Sequence, residues 1–223
     1  MIETPTIVIQ EQKLKRNIEN MAKVAKQNHV ALRPHVKTHK IPEIARMQIE
    51  AGAVGVTVAK TTEAEVMASG GVQDIFIAYP VVTEEKIERV LRLNRNTRII
   101  VGVDSFEGAK RLAEQAEKDG QTVEVRLEID TGLRRTGVPY DQALDLALEV
   151  ASLNHLKLTG IYTFRGALYQ GQPTMDLEKA GLEEGTRMVA LANDMRKIGL
   201  NIKDISVGST PTAAYVAKVD GIT

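Results

Sequence analysis

Short apolar runs alternate with amphipathic helical patterns along almost the whole chain. Residues 31–37, 55–60, 74–79, 98–104, 123–130, 158–164 and 202–207 each read as a strand, and a helical pattern or a helix start follows every one. A helix with Leu14, Ile18, Met21, Ala22 and Ala25 on one stripe precedes the first unit, and residues 6–10 read as a spare short strand. Strands separated by helices pair in parallel, because a parallel connection needs a crossover of about a dozen residues or more. No Gly-rich dinucleotide turn follows the first strand, and the units are regularly spaced. That favours a (β/α)8 TIM-type barrel over an open nucleotide-binding sheet. Seven βα units are readable, and the chain stops at Asp220-Gly221-Ile222-Thr223, where an eighth strand would begin. The eighth strand is therefore missing from the expected barrel, which is read as a single domain over residues 1–223.

Charge and composition narrow the partners. Lys+Arg and Asp+Glu both number 29, so the net charge is zero, which argues against general nucleic-acid or anionic-membrane binding. No apolar run approaches the roughly 20 residues of a membrane span. The first residues include Glu3 and lack a signal-peptide core, so a cytoplasmic location is the expectation. Cysteine is absent, which removes disulfides, thiolate metal ligands and a cysteine nucleophile.

Barrel active sites assemble at the C-terminal ends of the strands. Those ends offer Lys37, Lys60, Tyr79, Asp104, the run Asp130-Thr131-Gly132-Leu133-Arg134-Arg135-Thr136-Gly137, Tyr162 and Gly208-Ser209-Thr210. Lys37 lies in Arg33-Pro34-His35-Val36-Lys37-Thr38-His39-Lys40, where neighbouring cations favour a neutral, nucleophilic amine. A plain basic surface loop is the alternative. Gly208-Ser209-Thr210 precede a short helix after Pro211, a place where N–H groups and hydroxyls bind phosphate. Simple helix capping by Ser209 or Thr210 would look similar. A lysine facing a phosphate cradle across one barrel mouth suits pyridoxal 5'-phosphate (PLP).

At this point the chain resembles a known family. Pro34-His35-Val36-Lys37-Thr38-His39-Lys40 is similar to the PLP-lysine motif of the D-threonine aldolase/D-serine dehydratase family, which has an alanine racemase-like N-terminal barrel. The resemblance extends through residues 52–60, Ile77-Ala78-Tyr79-Pro80, Asp130-Thr131-Gly132, Arg135-Thr136-Gly137 and residues 206–212. It implies a PLP-dependent lyase, aldolase or racemase acting on a D-amino acid. Lys37 would be the Schiff-base lysine and catalytic base. Arg135 would approach the cofactor's phenolic oxygen, or else form a strand-end salt bridge. Tyr162 and Tyr169 match tyrosines near the cofactor, and Gly208, Ser209 and Thr210 match the phosphate cradle. His35 and His39 would tune Lys37, and Asp130 would brace Arg135 or the lysine.

Two departures from the family pattern stand out. Phe164 lies in a stretch where the family is usually polar, often with histidine, and a phenyl ring cannot move a proton. The family also continues into a C-terminal β domain whose His and Cys bind a divalent metal (zinc or manganese). This chain ends before that domain and has no cysteine, so that metal site is expected to be absent. The alternatives are a non-catalytic PLP-binding or homeostasis-type single-barrel protein and an inactive truncated remnant. An open barrel exposes the edges of strands 31–37 and 202–207. Self-association at that seam, as a homodimer or otherwise, is therefore expected, with residues 6–10 as an intramolecular plug.

Overall fold

The computed structural model describes residues 3–223. Helix α1 (Glu11–Gln27) leads through a single 3-10 turn at Val36–Thr38 into α2 (Pro42–Glu50). The repeat continues with β1 (Val56–Val58), α3 (Thr61–Ser69), β2 (Asp74–Pro80), α4 (Glu84–Asn94), β3 (Arg98–Val103), α5 (Phe106–Lys118) and β4 (Val123–Asp130). A two-residue strand β5 (Val138–Pro139) and α6 (Ala143–Ala151) precede β6 (Leu156–Tyr162). A small hairpin of β7 (Leu168–Tyr169) and β8 (Gln172–Pro173) comes before α7 (Leu177–Lys197), β9 (Asp204–Ser206) and α8 (Ala213–Val216). The main strands pair in parallel in the order β1-β2-β3-β4-β6-β9, with β5 beside β4. The result is an open α/β barrel.

Strand alternation sorts side chains into two layers. On β4, Val123, Val125, Leu127 and Ile129 are buried against the helices, in one cluster with Leu112, Ala116, Ala147 and Val150. Each such aliphatic side chain contributes about 1.5–3 kcal/mol when fully buried. The opposite row of β4 is Glu124, Arg126, Glu128 and Asp130. Arg126 pairs with Asp204 at 2.7 Å and lies 5.0 Å over the Phe76 ring, among the inward residues Phe76, Ile100 and Tyr162. Lower in the barrel, Asp74 takes both Arg33 and Arg98, and Arg98 also pairs with Glu124. Glycine makes room for these long side chains: a Cβ at Gly55 would collide with Arg33 and Asp74, and one at Gly102 with Tyr162.

Several local expectations change. Residues 31–37 form one parallel bridge, His35 to Thr57, and no continuous strand. Thr57 N–H reaches the Pro34 carbonyl at 2.8 Å. The next rungs toward the N-terminus would need an N–H on residue 34, and proline has none. On the other side of the bridge, Lys37 sits on the 3-10 turn and not at a strand end. The plug is also corrected. Residues 6–10 pair with no strand, and Ile7 is 94% exposed. At the seam, the Ile205 N–H of β9 is taken by the Thr223 hydroxyl at 2.9 Å. Met21 and Ala25 of α1 line a crevice there with Val207, Val216 and Ile222. Side chains thus cover the open edge where a strand was expected. Helix α3 starts after Lys60, and the Glu63 carboxylate accepts the Ala59 N–H at 2.8 Å. Glu65 pairs with Arg89 and Arg92 of α4.

Candidate active site

The mouth of the barrel holds a cavity of about 340 Å³, at the small end of ligand sites. Lys37, Arg135, Tyr162 and Gly208 all line it, so residues far apart in the chain share one chamber. Arg33, His35, Tyr79, Glu128 and Phe164 complete much of the wall. Ser209 and Thr210 follow Gly208 on the rim, Ser209 half-buried and Thr210 exposed. Tyr169, on the β7–β8 hairpin, does not line the cavity; its ring lies 6.0 Å from Lys179 Nζ of α7.

Lys37 is exposed, and its own N–H donates to His35 Nδ1 at 3.3 Å. Burial and the Lys37 charge lower the His35 imidazole to about 4, so at neutral pH it is uncharged. His39 does not face the cavity: it accepts the Ile41 N–H at 3.0 Å and lines a separate groove with Ile41, Ile44 and Gln48. The crowding cations also divide. Arg33 is held by Asp74 and Lys40 lies 3.5 Å from Glu63, whereas Lys37 and Arg135 both face the Phe164 ring, at 5.4 and 5.2 Å from its centroid. A ring between two cations attracts both through its negative face. Asp130 braces neither Arg135 nor Lys37. Its Oδ1 accepts the Gly132 and Arg134 N–H groups and so folds the loop that carries Arg135.

Tyr162 is buried, and its hydroxyl donates to Glu128 Oε2 at 2.9 Å. Glu128 Oε1 accepts from the Thr136 hydroxyl at 2.8 Å. Burial raises the Glu128 carboxyl above its ordinary value, against the lowering effect of those two donors. Glu128 was not singled out from the sequence. Its signal was the alternation of Glu124, Arg126, Glu128 and Asp130 along β4, a charged row with the period of one strand face. Arg165 was also missed. It is buried and joins the Thr131 and Leu168 carbonyls to Glu183, pinning the β7–β8 hairpin over the rim.

At the phosphate-cradle candidate, Gly208 has φ +99°, and a Cβ there would come 3.2 Å from Val216. The positive φ and the close packing of α8 both call for glycine at this point of the cavity wall. Neither Ser209 nor Thr210 caps α8 with its side chain: the Ser209 carbonyl accepts the Thr212 and Ala213 N–H groups at 3.0 and 2.8 Å, and the Ser209 hydroxyl lies 2.9 Å from Thr212 Oγ1. Among the described residues, no group of three or more His, Asp or Glu side chains is arranged to hold a metal ion. No described helix is long and apolar enough to cross a membrane.

Residues 9–220 match the model of the alanine racemase N-terminal domain. The chain belongs to that family. Family relatives include the D-threo-3-hydroxyaspartate dehydratase of Delftia sp. (strain HT23), 33% identical over all of this chain and 59% of the relative. The D-threonine aldolase of Arthrobacter sp. is 32% identical over 97% of this chain and 57% of that protein. Among solved structures, the Delftia dehydratase superposes with a TM-score of 0.90 at 34% identity over 100% of this chain, and the D-threonine aldolase of Filomicrobium marinum with 0.86 at 31% over 97%. Each match covers 59% of that solved chain. This member of the family thus spans less than two thirds of the length of those relatives.

Proposed function

We propose that this alanine racemase-family chain is a PLP-dependent lyase or racemase of D-amino acids, of the D-threonine aldolase or D-serine dehydratase kind. The observation that carries this reading is the convergence of Lys37, Arg135 and Gly208 on one cavity. The named activities of the relatives, which act on D-amino acids, support it. PLP, when bound, supplies an electron sink that weakens bonds at the substrate Cα. The residues present suit it: an amine, a guanidinium and a glycine turn line one chamber with aromatic side chains in its wall. Lys37 Nζ is the attachment point and the base that receives or returns the Cα proton. Arg135 places a positive charge where the ring's phenolic oxygen would lie. Gly208, Ser209 and Thr210 hold the phosphate, and Tyr162, locked by Glu128, forms a rigid floor.

A second reading, PLP binding without turnover, is favoured by Phe164. It occupies the space between Lys37 and Arg135 and offers no transferable proton. Incubation with PLP and D-serine, D-threonine or D-alanine separates the two readings. Pyruvate, glycine or L-alanine is expected; PLP bound with none of these products refutes catalysis on those substrates. Lys37→Ala is expected to abolish covalent attachment of PLP, read by mass after borohydride reduction, with the fold intact. An adduct that persists in that variant refutes the assignment of Lys37.

A further inference from the structure

Directly behind the 208–212 loop, α7 carries a carboxylic acid into the protein interior. Glu184 is 0% exposed, and neither of its carboxylate oxygens has a hydrogen-bond partner. Close packing puts it there. Gly181 and Gly185, on either side of it in α7, let α8 approach so closely that a Cβ at either would crowd Tyr215, Val216 or Val219. The Arg165 and Gly208 N–H groups and the Thr212 hydroxyl face the acid without closing a hydrogen bond to it. The Thr212 hydroxyl accepts the Ser209 N–H at 3.2 Å and lies 2.9 Å from the Ser209 hydroxyl.

The charge around this acid is sparse. From the loop after β6 comes the Arg165 guanidinium, already engaged by Glu183. On α7 itself, Arg187 is directed to the Thr131 carbonyl and the Tyr140 ring. Just after α8, Lys218 lies over the Tyr215 ring, and neither acts on Glu184. An ionised carboxylate is costly in such a place. Burial, only partly opposed by Arg165, pushes Glu184 up to about 7.

We propose that Glu184 is a positioning residue for phosphate binding. Its neutral form admits an anion on the outer face of the 208–212 loop, and its ionised form repels one from behind. The inference rests on the reading of that loop as the phosphate site. A single loop thickness of protein separates the two charges, and the interior screens them poorly. Binding and protonation are then reciprocally linked: an arriving phosphate favours the proton on Glu184, and a rise in pH favours release of the phosphate.

The test uses pyridoxine 5'-phosphate and pyridoxine, neither of which has an aldehyde for Lys37, with dissociation constants measured by calorimetry from pH 6.5 to 8.5. The ratio of the two affinities cancels ring titration common to both probes. The phosphate's second pKa, about 6, leaves it mainly dianionic across this range. In the unsubstituted protein the phosphate advantage is expected to fall at least about tenfold over the range, the size expected for one poorly screened like charge. In Glu184→Gln it is expected to stay at its low-pH value, because the amide mimics the neutral acid. If pyridoxine 5'-phosphate binds no tighter than pyridoxine at pH 6.5, the loop reading fails and takes this inference with it. If it binds tighter but the advantage ignores pH, or keeps the same slope in Glu184→Gln, the role of Glu184 alone is overturned. Glu184→Leu, also neutral, serves if the glutamine variant does not fold, and a flat profile in the unsubstituted protein overturns the proposal without either variant.

Discussion

A single methyl group added at Gly102 tests how the barrel interior is packed. Gly102 lies in β3 opposite Tyr162, and a Cβ there would overlap the tyrosine hydroxyl and sit 3.0 Å from its Cζ. The hydroxyl cannot retreat without leaving Glu128, to which it donates at 2.9 Å. Loss of a hydrogen bond to a buried carboxylate costs about 2 kcal/mol. Residual overpacking against Cζ adds about 1.5 kcal/mol, and alanine regains about 0.5 kcal/mol over glycine in a strand. Gly102→Ala is thus expected to destabilise by about 3 kcal/mol, and Tyr162→Phe by about 2 kcal/mol. In the phenylalanine background the added methyl no longer breaks that hydrogen bond, so Gly102→Ala should cost only about 1 kcal/mol there. The double variant then lies about 2 kcal/mol closer to the parent than additivity requires. Urea unfolding of the four proteins measures this coupling. Additive effects within about 0.5 kcal/mol would show that the methyl and the hydroxyl do not compete, and would refute this account of the interior.

Glu184 also sets a stability trend with pH. Its folded pKa is raised from 4.5 to about 7, so its favourable contribution is complete below pH 4.5 and is lost as pH rises through 7. Relative to Glu184→Gln, the parent should lose roughly 3 kcal/mol between pH 4.5 and pH 8, measured by urea unfolding at both values; a constant difference refutes the shift. His35 acts in the opposite sense. Lowered from 6.5 to about 4, its contribution is present above pH 6.5 and is lost as pH falls toward 4, so the Glu184 trend must be read as a difference between the two proteins. Arg165→Ala leaves Glu183 without its partner and frees the Leu168 carbonyl. Glu183 stays partly exposed and keeps the Gln170 N–H, so the loss should cost about 1.5–3 kcal/mol and open the β7–β8 hairpin to limited proteolysis near Gln170-Gly171. Unchanged cleavage would show that the hairpin holds without it.

The sequence alone determined the architecture. Alternating apolar runs and amphipathic helices admit little but a parallel sheet covered by helices, because period 2 and period 3.6 patterns cannot exchange places. Lys37, Arg135, Tyr162 and Gly208 were legible for a related reason: in this topology the ends of successive strands face one mouth. The tertiary structure decided whatever depends on neighbours remote in sequence. Pro34 removed the donor that would have extended the first ladder toward the N-terminus, and past the single His35–Thr57 bridge Lys37 sits on a 3-10 turn. Residues 6–10, apolar enough for a strand, found no partner edge, because α1, α8 and the Thr223 hydroxyl cover the seam. Glu128 and Glu184 look alike as sequence, yet one is held by two hydroxyl donors and the other is buried with no hydrogen bond closed to it. That difference is fixed by which side chains surround each carboxyl, and only folding brings those side chains together.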